Sequence, residues 1–227
     1  MDIDCSRFAF IPIAGLAGSG KSDAIARLKD VGEQVLNIEE IAGLQGVCLA
    51  DLFGETVIGQ REFQERLHAR FHSFSNLRHV YVEWKKPEVT GFQLPAGLVA
   101  EIRLAPAVYI EEPRPGRVLA LLQKYSEWNE HLDLLMTKLP WRGVGSRLMD
   151  ELSAAATQST QAFVERLLSE YLDPLYEEEI QRLNIVWRGS AGDLNENYEA
   201  VFEQVHRSRD RWRSYVPSQS HQRSGSR

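Results

Sequence analysis

The sequence predicts an α/β fold: a parallel sheet of the P-loop NTPase type, flanked by helices and followed by a C-terminal helical region. Three observations support this prediction. An apolar run at residues 8–14 leads directly into a glycine-rich loop, as a strand buried on both faces of a parallel sheet does. A helical pattern follows the loop, with Ala24, Ile25 and Leu28 on one face. Strand and helix patterns then alternate up to Ile110, the order that βαβ crossovers produce.

The remaining elements are predicted from the same two periodicities. Apolar runs typical of strands occupy residues 34–38, 79–83 and 107–110, and residues 184–187 are compatible with a short strand that returns to the sheet. Helices are predicted at residues 21–31, 60–74, from Pro95, from Pro115 with a break near Asn129, and at 146–156, 160–171 and 194–215. Gly32 is expected to cap the first helix, and Pro12 removes one hydrogen bond from the first strand. The glycine-rich stretch 42–58 predicts a loop-rich connection.

The pattern divides the chain into three parts. Residues 1–114 are predicted to form the P-loop α/β core, residues 115–215 a mainly helical region packed on that core, and residues 216–227 a disordered basic tail. Residues 206–227 hold six arginines and one aspartate, although the whole chain has a formal net charge of −6. A solvated tail is the favoured interpretation, and an electrostatic arm for RNA or for an acidic partner is the alternative.

Composition argues against several classes of protein. A net charge of −6 is unlike a protein that grips nucleic acid over its whole surface, so any RNA contact is expected to be local. Cys5 and Cys48 form no C-x-x-C pair, which favours free thiols in a reducing compartment. The acidic N-terminus does not resemble a signal peptide, and no apolar run approaches the about 20 residues that a bilayer span needs. We therefore expect a cytoplasmic protein without a membrane partner.

The segment Gly15–Ser22 matches the phosphate-binding pattern G-x-x-x-x-G-K-[ST] without exception. Its glycines let successive backbone N–H groups turn toward one anion, and the helix that follows adds the positive end of its dipole. Lys21 supplies a point charge for the outer phosphates, and Ser22 offers a hydroxyl to Mg²⁺. The ligand predicted from this motif is ATP, another nucleotide or another diphosphate. The predicted nucleotide-binding residues are Gly15, Ala17, Gly18, Ser19, Gly20, Lys21, Ser22 and Asp23.

Further candidate residues lie where strands end, because the carboxyl ends of parallel strands line the ligand crevice. Glu83 follows the third strand and is predicted, with Lys21, to be catalytic and, with Ser22, to hold the metal; a glutamate that merely ends a strand is the alternative. Glu39, after the second strand, is a candidate substrate contact, and so are the guanidinium groups of Arg103 and Arg117, which suit phosphate. Solvated side chains are the alternative for all three.

A short lysine pair follows Glu83 directly. Lys85 and Lys86 suit phosphate or RNA at the rim of the crevice, and a solvated pair is the alternative interpretation. No N-K-x-D signature for guanine is present, which weakens a GTPase interpretation.

Taken in order, these segments resemble the P-loop domain of the bacterial tRNA 2-selenouridine synthases. The resemblance covers roughly residues 8–180. The matching pieces are Gly15–Ser22, 32–42, 60–63, 80–83, 94–95, 103–106, Arg117, Tyr125 and the D-P-x-Y segment 171–176. The ordered set is much more specific than the P-loop alone.

The resemblance implies a fold, a chemistry and a partner. Enzymes of the family carry an N-terminal rhodanese-like domain with a catalytic cysteine and act on the wobble 2-thiouridine of tRNA, using geranyl diphosphate and then selenophosphate. Their P-loop domain is expected to handle the phosphorylated ligand and tRNA. Here the P-loop strand starts near Phe8, and neither cysteine lies in a rhodanese-type loop. We therefore expect a divergent stand-alone relative that lacks the rhodanese domain.

Other departures concern the loops around the crevice. The family's acid at the position of Asn37, its basic segment at residues 44–47 and its acidic-serine stretch after Glu83 are all replaced.

Three functions stay open on the sequence. The first is an ATPase or phosphate-ligand transferase, the second a nucleotide-dependent module that acts with a separate protein partner, and the third a small-molecule kinase.

Overall fold

The computed structural model describes residues 3–43, 58–75, 78–85, 92–124 and 145–215, and the structural statements below refer to these residues. Its strands are β1 (Ala9–Gly15), β2 (Gln34–Leu36), β3 (His79–Glu83), β4 (Pro106–Ile110) and β5 (Asn184–Gly189). Its helices up to Lys124 are α1 (Lys21–Asp30), α2 (Ile38–Ala42), α3 (Gln60–His72), α4 (Ala96–Leu104) and α5 (Arg114–Lys124). Its later helices are α6 (Ser146–Gln158), α7 (Thr160–Leu167), α8 (Asp173–Ile180), α9 (Ala191–Glu196) and α10 (Tyr198–Tyr215).

The five strands form one parallel sheet in the order β2-β3-β1-β4-β5, which confirms the predicted fold class. β1 is central, so the loop that follows it opens at the carboxyl edge of the sheet between β3 and β4. The register pairs Ile13 with Glu83, which brings the end of β3 beside the start of the glycine-rich loop. The short strand predicted at 184–187 is present as β5 and pairs with β4 at the edge of the sheet.

Pro12 lies on the central strand, where a proline would normally interrupt the ladder. It is paired in register with Val82 of β3, whereas the pairing of β1 with β4 begins only at Ile13. The carbonyl of Ile13 accepts a hydrogen bond of 3.0 Å from the backbone N–H of Trp84, so this carbonyl points toward β3. Since the backbone groups of successive residues alternate in direction, the missing N–H of Pro12 falls on the β4 side before that ladder starts.

The sheet is covered on both faces, and its three central strands, β1, β3 and β4, are buried over almost their whole length. Phe10 and Val80 pack with α3 and α4 on one face, and Ile11, Tyr81 and neighbouring residues pack with α1 and α10 on the other. A further cluster joins Ala17 of the glycine-rich loop to apolar residues of α5 to α8. Each large side chain buried in this way contributes roughly 1.5–3 kcal/mol of transfer free energy. The C-terminal helices therefore pack directly against the loop.

Two predicted boundaries were wrong. The second strand ends at Leu36 because the side chain of Asn37 accepts a 3.0 Å hydrogen bond from the N–H of Glu40 and starts α2. The predicted helix 160–171 is an α-helix only to Leu167, continues as a π-helical segment at Leu168–Leu172, and is followed by the unpredicted helix α8.

The predicted helix 194–215 proved to be two helices. Ser190 and Asp193 form a reciprocal capping box that starts α9, and α10 begins at Tyr198. The expectations for residues 44–57, Lys86, Asn129 and the tail 216–227 fall outside the described residues. None of the helices in the described part of the chain combines the length and apolarity that a bilayer span requires.

Candidate functional site

The glycine-rich loop connects the central strand to α1 in a conformation that its glycines make accessible. Gly18 has a φ of 80° and Gly20 a φ of 91°, values that residues with a side chain rarely adopt. A Cβ atom on Gly18 would lie 2.7 Å from the carbonyl oxygen of Arg117, and one on Gly15 would lie 2.6 Å from that of Ile110. Neighbouring backbone therefore packs closely against the loop at these two glycines, and a side chain at either position would displace it.

Lys21, the first residue of α1, is almost completely buried. Its ammonium Nζ donates a 2.7 Å hydrogen bond to the carbonyl of Leu16 and lies 5.8 Å from the centre of the Tyr176 ring. Burial and, to a smaller extent, the nearby Lys85 together lower the pKa of Lys21 to about 7, against the opposing effect of Glu83. A buried ammonium whose charge is incompletely balanced is suited to an anionic ligand.

Glu83, at the end of β3, accepts hydrogen bonds on both carboxylate oxygens. Its Oε1 accepts one of 2.8 Å from the hydroxyl of Ser22, and its Oε2 accepts one of 3.2 Å from the amide of Asn37. Burial raises the pKa of Glu83, but the ammonium groups of Lys85 and Lys21 and the Ser22 hydrogen bond outweigh burial and lower it overall. The structure therefore brings the predicted metal pair, Ser22 and Glu83, into direct contact, with the carboxylate ionised.

Lys85 lies in the same cluster, although a solvated lysine was the open alternative. Its Nζ is 2.6 Å from Oε2 of Glu39 and 3.3 Å from Oε1 of Glu83, and its side chain is only 9% exposed. Burial lowers the pKa of Lys85, but Glu39 and Glu83 outweigh it and raise the pKa overall. The signal in the sequence was alternation along the strand, because a residue two positions after Glu83 points to the same side.

Arg117, on α5, is buried and bound within the protein. Its two terminal nitrogens each lie 2.7 Å from an oxygen of Asp173 on α8, and Nη1 also donates a 3.2 Å hydrogen bond to the carbonyl of Ala17 in the loop. In this state the guanidinium links the loop to α8. Its predicted contact with phosphate stays a prediction.

Arg103, at the end of α4, has a similar arrangement. Its guanidinium donates two hydrogen bonds, of 2.8 and 2.7 Å, to the carboxylate of Glu179, which also accepts one of 3.0 Å from the indole of Trp84. Sequence reasoning missed Asp173 and Glu179, since acidic residues on a helix usually belong to its solvated face. Among the described residues that line the cleft, neither Arg103 nor Arg117 appears.

A cleft of about 460 Å³ lies against the loop. It is lined by residues of the loop and the start of α1 (Ala17, Gly18, Ser19, Gly20, Lys21, Ser22 and Asp23), by Glu83 and Lys85, and by Ala120, Leu121, Gln123 and Tyr176 of α5 and α8. Gly15 ends β1 close to the backbone of Ile110 and is not part of this lining. The hydroxyl of Ser19 is buried and has no hydrogen-bond partner among the described residues, so it is available to a ligand.

The matching family model and the similar full-length relatives indicate one family. The model of the family described as the tRNA 2-selenouridine synthase AAA domain matches residues 8–156. The chain is 25% identical over 205 residues to a tRNA 2-selenouridine synthase of Bordetella bronchiseptica, covering 74% of this chain and 52% of that protein. It is also 25% identical over 214 residues to a tRNA 2-selenouridine synthase of Shewanella piezotolerans, covering 80% and 57%. The chain thus spans somewhat more than half the length of these relatives.

A solved structure aligns with most of the chain at low similarity. It is the crystal structure of TT1252 from Thermus thermophilus, with 17% identity and a TM-score of 0.40 over 92% of this chain and 98% of that one.

Proposed function

The chain belongs to the tRNA 2-selenouridine synthase AAA domain family, and from this premise we propose that its P-loop cleft is a transferase site for a ligand with a diphosphate group. The chain is a P-loop nucleotide-binding protein by fold and motif. The observation that supports a diphosphate site most directly is the buried ammonium of Lys21, which lies in the loop and has a pKa lowered to about 7. A diphosphate seated there would stabilise the protonated form of Lys21, which burial disfavours.

The state of Glu83 favours transfer over hydrolysis. A base that activates water works best with a pKa near neutrality, whereas the pKa of Glu83 is lowered and both of its oxygens accept hydrogen bonds. A departing diphosphate needs its developing charge stabilised and requires no such base. Lys21 and the N–H groups of the loop meet that need.

The proposed transfer changes no oxidation state and needs no oxidant or reductant. The bond between the ligand's carbon and the diphosphate oxygen breaks, and its electron pair leaves with the diphosphate. The carbon then bonds to the sulfur of a thiouridine acceptor, which releases one proton to solvent. The names of the relatives support a tRNA acceptor, and such an acceptor would be consistent with the cytoplasmic location expected from the sequence.

Magnesium fits the same cleft. Ser22 and Glu83 offer a hydroxyl and a carboxylate oxygen 2.8 Å apart, and such oxygen ligands are those that Mg²⁺ prefers. The bound ion would neutralise part of the phosphate charge.

Calorimetric titration with ATP, GTP and geranyl diphosphate, each with and without Mg²⁺, tests the proposal. We expect geranyl diphosphate to bind, and Lys21→Met to weaken that binding by about a hundredfold or more, since it removes a buried charge next to phosphate. Lys29→Met is the matched control, because Lys29 lies on the same helix with its side chain 56% exposed.

A second measurement separates transfer from hydrolysis. Incubation with geranyl diphosphate and thiolated tRNA is expected to release pyrophosphate only when both are present. Absence of binding by all three ligands would overturn the proposal. Steady release of phosphate from ATP without any acceptor would replace it with an ATPase function.

A further inference from the structure

The position of Lys85 is fixed by the residue before it. The indole of Trp84 is buried in the core and donates a 3.0 Å hydrogen bond to Glu179, and its backbone N–H donates to Ile13 of the central strand. The chain therefore continues alongside β1 for one residue beyond β3. Because side chains alternate along an extended segment, Trp84 points into the core while Glu83 and Lys85 both point to the cleft.

The Lys85 ammonium is directed at the oxygen that a metal would use. Oε1 of Glu83 accepts a hydrogen bond of 2.8 Å from the hydroxyl of Ser22 and also lies 3.3 Å from Nζ of Lys85. The same Nζ is closer to Glu39, at 2.6 Å. Lys85 thus already balances the carboxylate expected to hold Mg²⁺, and it is anchored by a shorter contact on its other side.

The charges beside the loop balance only when Lys85 is counted. Two ammonium groups, those of Lys21 and Lys85, interact with two carboxylates, those of Glu39 and Glu83. The guanidinium of Arg117 also acts on Lys21, but its charge is paired with Asp173. Without Lys85, one ammonium would face two carboxylates, and a diphosphate would require an added cation to enter. With Lys85, the cluster of these four side chains is neutral, and the exposed Asp23 adds one negative charge to the cleft lining.

We propose that Lys85 is a resident counter-cation that takes over the electrostatic role of the divalent metal, so that this cleft binds diphosphate without Mg²⁺. The inference rests on the proposed diphosphate site and specifies its metal requirement. A metal that does enter competes with Lys85 for Glu83, and the shorter contact with Glu39 keeps Lys85 in the cleft.

The test is calorimetric titration of the full chain with inorganic pyrophosphate, once in EDTA and once in excess Mg²⁺. For the wild-type protein we expect the two dissociation constants to agree within about tenfold. For Lys85→Met we expect binding in EDTA to weaken by about tenfold or more, and Mg²⁺ to restore most of it, because the emptied carboxylates then bind the ion. Lys85→Arg keeps the charge and is expected to behave like the wild type.

Thermal unfolding of each variant and the surface control Lys29→Met accompany the titrations. A Lys85→Met protein that is less stable but keeps the wild-type ratio of the two dissociation constants would overturn the inference, since Lys85 would then only hold α2 to β3. The ratio of the two dissociation constants of the wild-type protein tests the inference even if Lys85→Met does not fold. Wild-type binding that requires Mg²⁺ would overturn the inference and leave the diphosphate site standing, whereas no binding in either buffer would overturn both.

Discussion

Replacing Arg117 with methionine tests whether its guanidinium serves the fold or the ligand. The side chain is 4% exposed and makes two 2.7 Å hydrogen bonds to Asp173, whose side chain is 6% exposed. Removing one partner of a buried ion pair leaves the other charge uncompensated, at a cost of about 3–5 kcal/mol. For a chain of this length that corresponds to a fall in Tm of roughly 6–20 °C.

The assay is urea unfolding followed by circular dichroism, on three variants and one control. Arg117→Met and Asp173→Leu should each be destabilised, and the double variant should lose about 2 kcal/mol less than the sum, since it removes both charges. Arg114→Met is the control. Arg114 lies on the same helix, 3.9 Å from Asp173 with its side chain 54% exposed, so we expect a change within about 0.5 kcal/mol.

The opposite result has a definite meaning. If Arg117→Met lowers stability by less than about 1 kcal/mol while pyrophosphate binding weakens more than about tenfold, the ion pair contributes little and the guanidinium contacts the ligand. That outcome would refute a structural role for the Arg117–Asp173 ion pair and support the phosphate contact predicted from the sequence.

Two further predictions concern the loop itself. Lys21 loses its proton above about pH 7 in the free protein, and a bound phosphate favours its protonated form, so pyrophosphate affinity should fall as pH rises above about 7. Calorimetry at about pH 8 in two buffers of different ionisation enthalpy should then show uptake of about one proton, and a pH-independent affinity would contradict the assignment. Gly18→Ala places a Cβ 2.7 Å from a backbone oxygen at a φ of 80°, which should destabilise the protein by about 1–2 kcal/mol or more and weaken pyrophosphate binding. Gly97→Ala, where an added Cβ meets nothing within 4 Å, should instead be neutral or stabilising in unfolding assays, and equal effects of the two changes would rule out the steric argument.

The phosphate loop and the sheet could be predicted because their signals are local. Eight consecutive residues define the P-loop, and the apolar run before it and the helical pattern after it lie within a few positions. Glu83 could be placed near the loop without any contact information, because every parallel strand ends at the same edge of the sheet. The register of Ile13 with Glu83 realises that expectation.

The partners of the two arginines could not be predicted because they depend on tertiary packing. Arg117 and Asp173 are 56 positions apart, and Arg103 and Glu179 are 76 apart. Glu179 is not distinguished in the sequence from the acids beside it on α8, and the D-P-x-Y segment that contains Asp173 does not indicate its partner. The end of β2 was missed for a smaller reason, since a single hydrogen bond from the Glu40 N–H to the Asn37 side chain decides between strand and helix there.

One face of α8 connects these observations. Asp173, Tyr176 and Glu179 follow one another at intervals of three, so they share a side of the helix. The first holds the arginine that binds the loop carbonyl of Ala17, the second lies over Lys21, and the third holds Trp84, the residue that directs Lys85 into the cleft. The loop, Lys21 and Lys85 are thus positioned by a helix that lies outside the P-loop motif. The P-loop motif therefore predicts phosphate binding, while the positions of the charged side chains around the loop are set by residues elsewhere in the chain.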